Sequence, residues 1–228
     1  MPEQDYTYCR LDLDRPSIRL IQLFAVSDSD VHCEVLQTFL DEGVPYTALS
    51  YTWDSNMKTA KIRIGKASFM SVTENLFMAL HHLRPVDGYV LLWVDAICID
   101  QSNHRERGHQ VQQMGDIYKN AESVVVWLGV ERDDSGFLLD SLKDWSQKAA
   151  LKNAHASVPP GVRVRCCTAL DRLLRRSWFR RVWILQEVAH AQRAFIHCGW
   201  QSISTRTFTA APSIFGVKPD SHSKAVLD

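Results

Sequence analysis

The sequence of 228 residues has six cysteines and no pattern among them. Cys9, Cys33, Cys98, Cys166, Cys167 and Cys198 form no C-x-x-C pair and have no histidine at zinc-ligand spacing. That argues against a disulfide framework and a structural metal, and fits a chain kept in a reducing compartment. Long apolar runs are also missing: 89–94 and 124–128 suit buried strands, so no membrane span is expected. The first ten residues are polar and acidic, without the apolar stretch of a secretory leader, and the expected location is cytoplasmic. Nor is there an excess of charge of one sign. Lys+Arg and Asp+Glu both number 26, a formal net charge of +0. Nothing draws the chain as a whole to nucleic acid or anionic lipid, so any charged ligand needs a local site. No glycine-rich phosphate loop, no G-x-S-x-G elbow and no cysteine beside a motif histidine is present, which removes three familiar catalytic classes. His81, His82, His104 and His109 lack convergent partners, and no metal site is expected.

What is present reads as one globular unit, 46% hydrophobic and 23% charged. The pattern predicts strands over 18–24, 46–53, 61–65, 68–72, 89–94, 123–128 and 194–198. Thr73 is expected to cap a helix over 74–83, and further helices are expected over 104–120, from 133 onward, over 164–176 and over 178–191. The apolar runs at 89–94 and 123–128 call for strands covered on both faces. Strand, helix and strand in that order imply right-handed parallel crossovers. The expected fold is α/β, with a mainly parallel sheet flanked by helices.

Three stretches combine large apolar and polar residues densely. They are Ala48-Leu-Ser-Tyr-Thr-Trp-Asp54; Leu92-Trp-Val-Asp-Ala-Ile-Cys-Ile-Asp-Gln101, followed by Glu106, Gln110, Met114, Ile117, Tyr118 and Ala121; and Ser177-Trp-Phe-Arg-Arg-Val-Trp-Ile-Leu-Gln-Glu-Val-Ala189. In an open parallel sheet, ligands bind beyond the carboxyl ends of the strands. Ser50 to Asp54 and Asp95 fall where two strands are expected to end. By itself Asp95 reads first as a helix cap, and Asp100 as a turn residue. On a helix, Arg180, Trp183, Glu187 and His190 share one stripe, while Val182, Leu185 and Ala189 turn to another. No Lys or Arg lies three or four residues from Glu187 to form a surface ion pair, and Trp183 one turn earlier suggests a partly desolvated carboxylate. Spacing alone still ranks a surface role for Glu187 ahead. Glu106 reads as a local cap or salt bridge. Arg175-Arg176 and Arg180-Arg181 form a basic cluster able to meet phosphates, with solvated surface charge the commoner explanation.

The three stretches, in this order and separation and closed by Cys198-Gly199, resemble the heterokaryon-incompatibility (HET) domain pattern from about Tyr6 to Phe208. One departure is Asp54, where the family usually has Gly. The resemblance implies a HET domain over 6–210, an unstructured or loosely packed tail over 211–228, and a role in fungal non-self recognition and programmed cell death. HET domains in turn resemble TIR domains, which implies a TIR-like, flavodoxin-like core with added N-terminal strands. Many TIR domains cleave NAD with a Glu on a late helix in a Trp-x-x-x-Glu-like context, matched here by Trp183 and Glu187. On that basis Glu187 is expected as the catalytic carboxylate, with Ser50, Tyr51, Trp53, Asp95 and Trp183 around NAD as substrate and no cofactor. The competing implication is a non-catalytic death-signalling module that self-associates or binds a regulatory protein. The setting of Glu187 separates the two: in a crevice it favours chemistry, facing solvent it favours signalling.

Overall fold

Runs of β-branched and aromatic residues at the expected places build the framework of the protein, described here by a computed structural model for residues 4–25, 30–53, 57–150, 158–182, 184–189, 191–220 and 223–224. Its strands are β1 (Gln4–Asp5), β2 (Ser17–Phe24), β3 (His32–Phe39), β4 (Thr47–Ser50), β5 (Ala60–Ile64), β6 (Ser68–Val72), β7 (Tyr89–Trp93), β8 (Ser123–Trp127), β9 (Ala194–Cys198) and β10 (Gln201–Ser204). The helices are α1 (Glu74–Leu83), α2 (Asp95–Cys98), α3 (His104–Asn120), α4 (Ser135–Ala150), α5 (Pro160–Leu174), α6 (Ile184–Val188), α7 (Thr205–Thr209) and α8 (Ala211–Phe215).

The strands form one sheet in the order β1-β6-β5-β3-β2-β7-β4-β8-β9-β10. β7, β4, β8 and β9 are mutually parallel neighbours, while β2 joins β7 and β3 antiparallel. Within the parallel block the chain visits β4 first, then β7, β8 and β9. This second-first-third-fourth order is that of the doubly wound, flavodoxin-like class, and its direction reverses between β4 and β8. Helices cover both faces of the block. Ala48 and Ser50 lie in register with Val124 and Val126, and Ser50 points to the face that carries α6. Trp127 points the other way, against His82 of α1, with ring centroids 5.0 Å apart. The fold is therefore α/β with a mixed, mostly parallel sheet, as the alternation of strand and helix signals implies.

Local capping sets the helix boundaries that sequence alone predicts. The Thr73 side chain accepts from the Leu76 N–H, and the Asn103 side chain from the Glu106 N–H, so α1 and α3 begin where expected. Several expectations need correction. The strand expected over 46–53 ends at Ser50, where the chain leaves the sheet toward the site. The helix expected over 178–191 is a 3-10 turn, Ser177–Arg180, followed by the short α6. Trp178 and Phe179 are consecutive and both buried, and the tighter turn sinks both rings into one core. The tail expected from 211 begins as α8, nucleated by Pro212 in its first turn, and buries Ala211 and Phe215. β3 and β10 were not expected. β3 alternates imperfectly, with buried Cys33 and Thr38 among more exposed residues, and β10 is only four residues long.

Glu106 is the largest departure from its expected local role. Its carboxylate lies 2.5 and 3.0 Å from the guanidinium of Arg19, 87 residues away on β2, and also accepts the Asp100 N–H at 2.7 Å. Arg19 and Glu106 are buried, at 0% and 2% exposure. The two terminal nitrogens of Arg19 also reach the carbonyls of Cys98 and Cys9, while its buried Nε–H has no partner among the described residues. One buried pair thus ties β2, the N-terminal segment and the loop after α2 together. Burying two charges is costly unless each satisfies the other. Glu106→Ala is expected to cost about 3–5 kcal/mol in urea unfolding. Arg19→Met combined with Glu106→Leu is expected to recover most of that loss.

Candidate functional site

The site grows from two strand ends. β4 delivers Ser50 and the following Tyr51, Thr52 and Trp53. Its parallel neighbour β7 ends at Trp93, two residues before Asp95 opens α2. Because parallel strands finish at the same edge, these residues meet although more than forty positions separate Trp53 from Asp95. The Trp53 indole N–H donates to Asp95 at 3.1 Å, and Tyr51 shares a side-chain hydrogen bond with the same carboxylate. The Ala96 N–H closes on the other Asp95 oxygen at 2.7 Å. Asp95 is the first residue of α2, whose N-cap is Val94 with no side-chain cap bond, so the capping role expected for Asp95 is corrected.

α6 packs against α3 and brings Glu187 beneath the same strand ends. Glu187 is wholly buried, which corrects the surface ranking drawn from spacing. Its carboxylate accepts two hydrogen bonds from the Arg181 guanidinium, at 2.7 and 2.8 Å, and a short one from the Ser50 hydroxyl. Ser50 in turn accepts the Trp178 indole N–H at 2.8 Å. The third motif therefore reaches the first through Glu187–Ser50 and Trp178–Ser50, and the second through the shared field of Asp95 and Glu187. Ser50, Tyr51, Trp53, Asp95 and Glu187 are brought together as expected. Trp183, Asp54 and His190 lie outside the described residues.

Sequence reasoning missed Arg181 as a partner because it sits six positions before Glu187, a spacing at which helical residues do not face each other. It becomes possible only because the chain is extended around Arg181 between the 3-10 turn and α6. Tyr118 was also missed as a neighbour of the site. It is buried, it donates to the Leu49 carbonyl at 3.2 Å, and burial followed by the charges of Glu187 and Asp95 holds its hydroxyl protonated. On the opposite face, Asn75 of α1 donates to the Thr52 carbonyl at 2.7 Å and accepts the Trp127 indole N–H at 2.9 Å, fixing the strand-end loop over the β4–β8 reversal.

Charge is unevenly balanced here: one guanidinium faces two carboxylates. Burial, then the charge of Glu187, push the Asp95 carboxyl up to about 6, against the pull of Arg181, the Ala96 N–H and Trp53. Tyr51 is raised well above the ordinary phenol range by burial and then by Asp95. What this arrangement can supply is a fixed carboxylate, a second acid whose proton exchanges near neutrality, and an aromatic rim in Trp53, 36% exposed. Among the described residues no group of His, Cys, Asp and Glu is placed to hold a metal ion.

Two outcomes follow. Glu187→Gln leaves Arg181 without its countercharge and is expected to cost roughly 2–3 kcal/mol of stability. The cost of Arg181→Gln is expected to be similar. Calorimetry on the double variant is expected to show a loss well below the sum, because the two share one interaction. This replaces the expectation of little effect on folding that the absence of a sequence-local ion pair suggests. For Asp95, the folded carboxyl binds its proton more tightly than the unfolded one, whose ordinary value is about 3.9. The contribution of Asp95 to stability is then fully present below about pH 4, declines as the pH rises toward about 6, and levels off above it. Asp95→Asn is expected to flatten that decline in melting temperatures measured between pH 4 and 7.

Residues 46–187 match the family described as "Heterokaryon incompatibility protein (HET)". The chain is also similar to the Neurospora crassa protein "Heterokaryon incompatibility protein 6, OR allele", 28% identical over 249 residues. That match takes in 90% of this chain and 37% of the relative, so the chain spans well under half of that protein's length. No solved structure matches the chain. The family match begins at Tyr46, on the threshold of β4, and ends on Glu187, so it runs from the first strand end of the site to its buried carboxylate. The chain belongs to the heterokaryon incompatibility (HET) family.

Proposed function

We propose that this chain is the effector domain of a heterokaryon-incompatibility response, acting in non-self recognition and cell death, and that it does so by TIR-like cleavage of NAD. The observation that carries this reading is the position of Glu187: a buried carboxylate held against Ser50 at the carboxyl end of β4, the strand beside which the sheet reverses direction. The family membership supports the biological role, and the strand order of the parallel block supports the TIR-like comparison.

In this reading the bond between the nicotinamide nitrogen and ribose C1′ breaks, and nicotinamide leaves neutral with the electron pair. The ribosyl cation left behind is stabilised by the fixed negative charge of Glu187, as carboxylates do for glycosyl transfer. Water then adds to C1′ and gives up a proton, for which Asp95 is the acceptor, with a carboxyl poised near 6. Trp53 offers the exposed ring on which a flat base stacks. Arg181 must leave at least one oxygen of Glu187 before a ribose can take its place, so the arrangement described is a closed one.

That closure also favours a second reading. Both oxygens of Glu187 are engaged by Arg181 and Ser50 and none is exposed. A carboxylate so fully satisfied serves equally as the structural tie of a non-catalytic module that self-associates or binds a regulatory protein.

Nicotinamide release by the wild type and by Glu187→Gln separates the readings, assayed well below both melting temperatures because the substitution costs stability. Catalysis predicts turnover in the wild type and a loss on the order of 100- to 1000-fold in the variant. It also predicts a rate that rises through about pH 6 as Asp95 ionises, a limb absent in Asp95→Asn. Equal turnover in wild type and Glu187→Gln removes Glu187 from the chemistry. Absence of turnover in concentrated wild type, with sedimentation showing assembly, establishes the signalling module instead.

A further inference from the structure

The two arginine doublets divide their work. Arg176 and Arg181, the second members, turn inward: Arg176 donates to the carbonyls of Leu128, Val130 and Arg132, and Arg181 holds Glu187. The first members, Arg175 and Arg180, instead line a common cavity of about 280 Å³ between the end of α5 and the segment that follows α8. Lys218 of that segment adds a third cation to the lining, and no ion pair is recorded for it among the described residues. Two carboxylates share the wall. Asp171 pairs with Arg175 at 2.9 Å, and Asp220 pairs with Arg180 at 3.1 Å. Three cations against two carboxylates leave the cavity with a net positive charge.

The cavity holds one further feature that points to a ligand. Ser223 lines it and is buried to 1% exposure, and its hydroxyl has no hydrogen-bond partner among the described residues. A buried hydroxyl is ordinarily paired, because leaving one unpaired forfeits its hydration. The Ser223 N–H is already committed to Asp220, so the hydroxyl is the group left to donate.

We propose that this cavity is a binding site for the phosphate group of a small, soluble phosphate monoester. Arginine forks match phosphate oxygens bidentately, lysine adds a point charge, and a serine hydroxyl supplies the neutral donor that completes a tetrahedral anion's shell. Asp171 and Asp220 do not forbid this. Both pairs are at least partly solvated, with side-chain exposures of 70% and 54% for Arg175–Asp171 and 53% and 46% for Arg180–Asp220. Ion pairs at that exposure contribute little and exchange readily for a stronger anion. The volume takes a phosphate together with several waters, each occupying roughly 30 Å³. The site is distinct from the Glu187–Asp95 carboxylates and does not depend on any reaction there.

Titration calorimetry with inorganic phosphate as the probe, at constant ionic strength against chloride, tests the site in the whole chain. Saturable binding by the wild type is expected, with a rise in melting temperature that follows phosphate and not chloride. Lys218→Gln and Arg180→Gln are each expected to weaken that affinity by roughly tenfold or more. Ser223→Ala is expected to weaken it while leaving the melting temperature without phosphate unchanged, since it removes a hydroxyl that bonds none of the described residues. Phosphatidylcholine vesicles with and without phosphatidic acid distinguish the source of the phosphate. Binding to phosphatidic acid vesicles with no response to free phosphate overturns the small-molecule assignment. Absence of saturable phosphate binding in the wild type, or binding unchanged in the three variants, overturns the site.

Discussion

The tie between Glu187, Arg181 and Ser50 is the constraint from which the rest of the candidate site takes its shape. A carboxylate removed from water must find its hydration replaced in full, and Glu187 does so with two guanidinium donors and one hydroxyl. Those partners come from β4 and from the extended stretch before α6, so satisfying one side chain anchors α6 to the edge of the sheet. Trp178 joins through Ser50 and places the start of the 3-10 turn on the same anchor. The Asp95 carboxyl then rises through its burial first and through the nearby charge of Glu187 second, with a single guanidinium to offset both carboxylates.

A second buried pair works in the same way toward the antiparallel side. Arg19 and Glu106 join β2 to α3, and Glu106 also holds the Asp100 N–H. The loop that carries Asp95 at one end and Asp100 at the other is thereby gripped from beneath. Asn75 does the corresponding task above, between Thr52 and Trp127. The loops after β4 and β7 are each fixed by side chains from outside themselves, as a preorganised site requires.

Where local chemistry decides a feature, the sequence carried it. Thr73 and Asn103 cap the helices they precede, and the apolar runs of β7 and β8 lie in the parallel block covered by helices. The meeting of Ser50, Tyr51, Trp53 and Asp95 was legible because strand ends in a parallel sheet share an edge, whereas Glu187 on α6 was placed with them only by the family resemblance. The broken helix before Glu187 was not legible. Its residues have ordinary helix propensity, and what breaks it is the burial of Trp178 and Phe179 side by side.

The sequence by itself determined the α/β class, the family, and the identity of the residues that gather at the strand ends. Each of these depends on periodicity, on caps, or on motifs contiguous in the chain. Only the tertiary structure decided that Glu187 is buried and paired with Arg181, that Glu106 answers Arg19, and that Arg175 and Arg180 face a cavity while Arg176 and Arg181 face the core. Those outcomes depend on which charges share a dry interior, and partners 6, 87 and 137 positions apart leave no mark on local pattern. Desolvation selects them only once the sheet has closed over them.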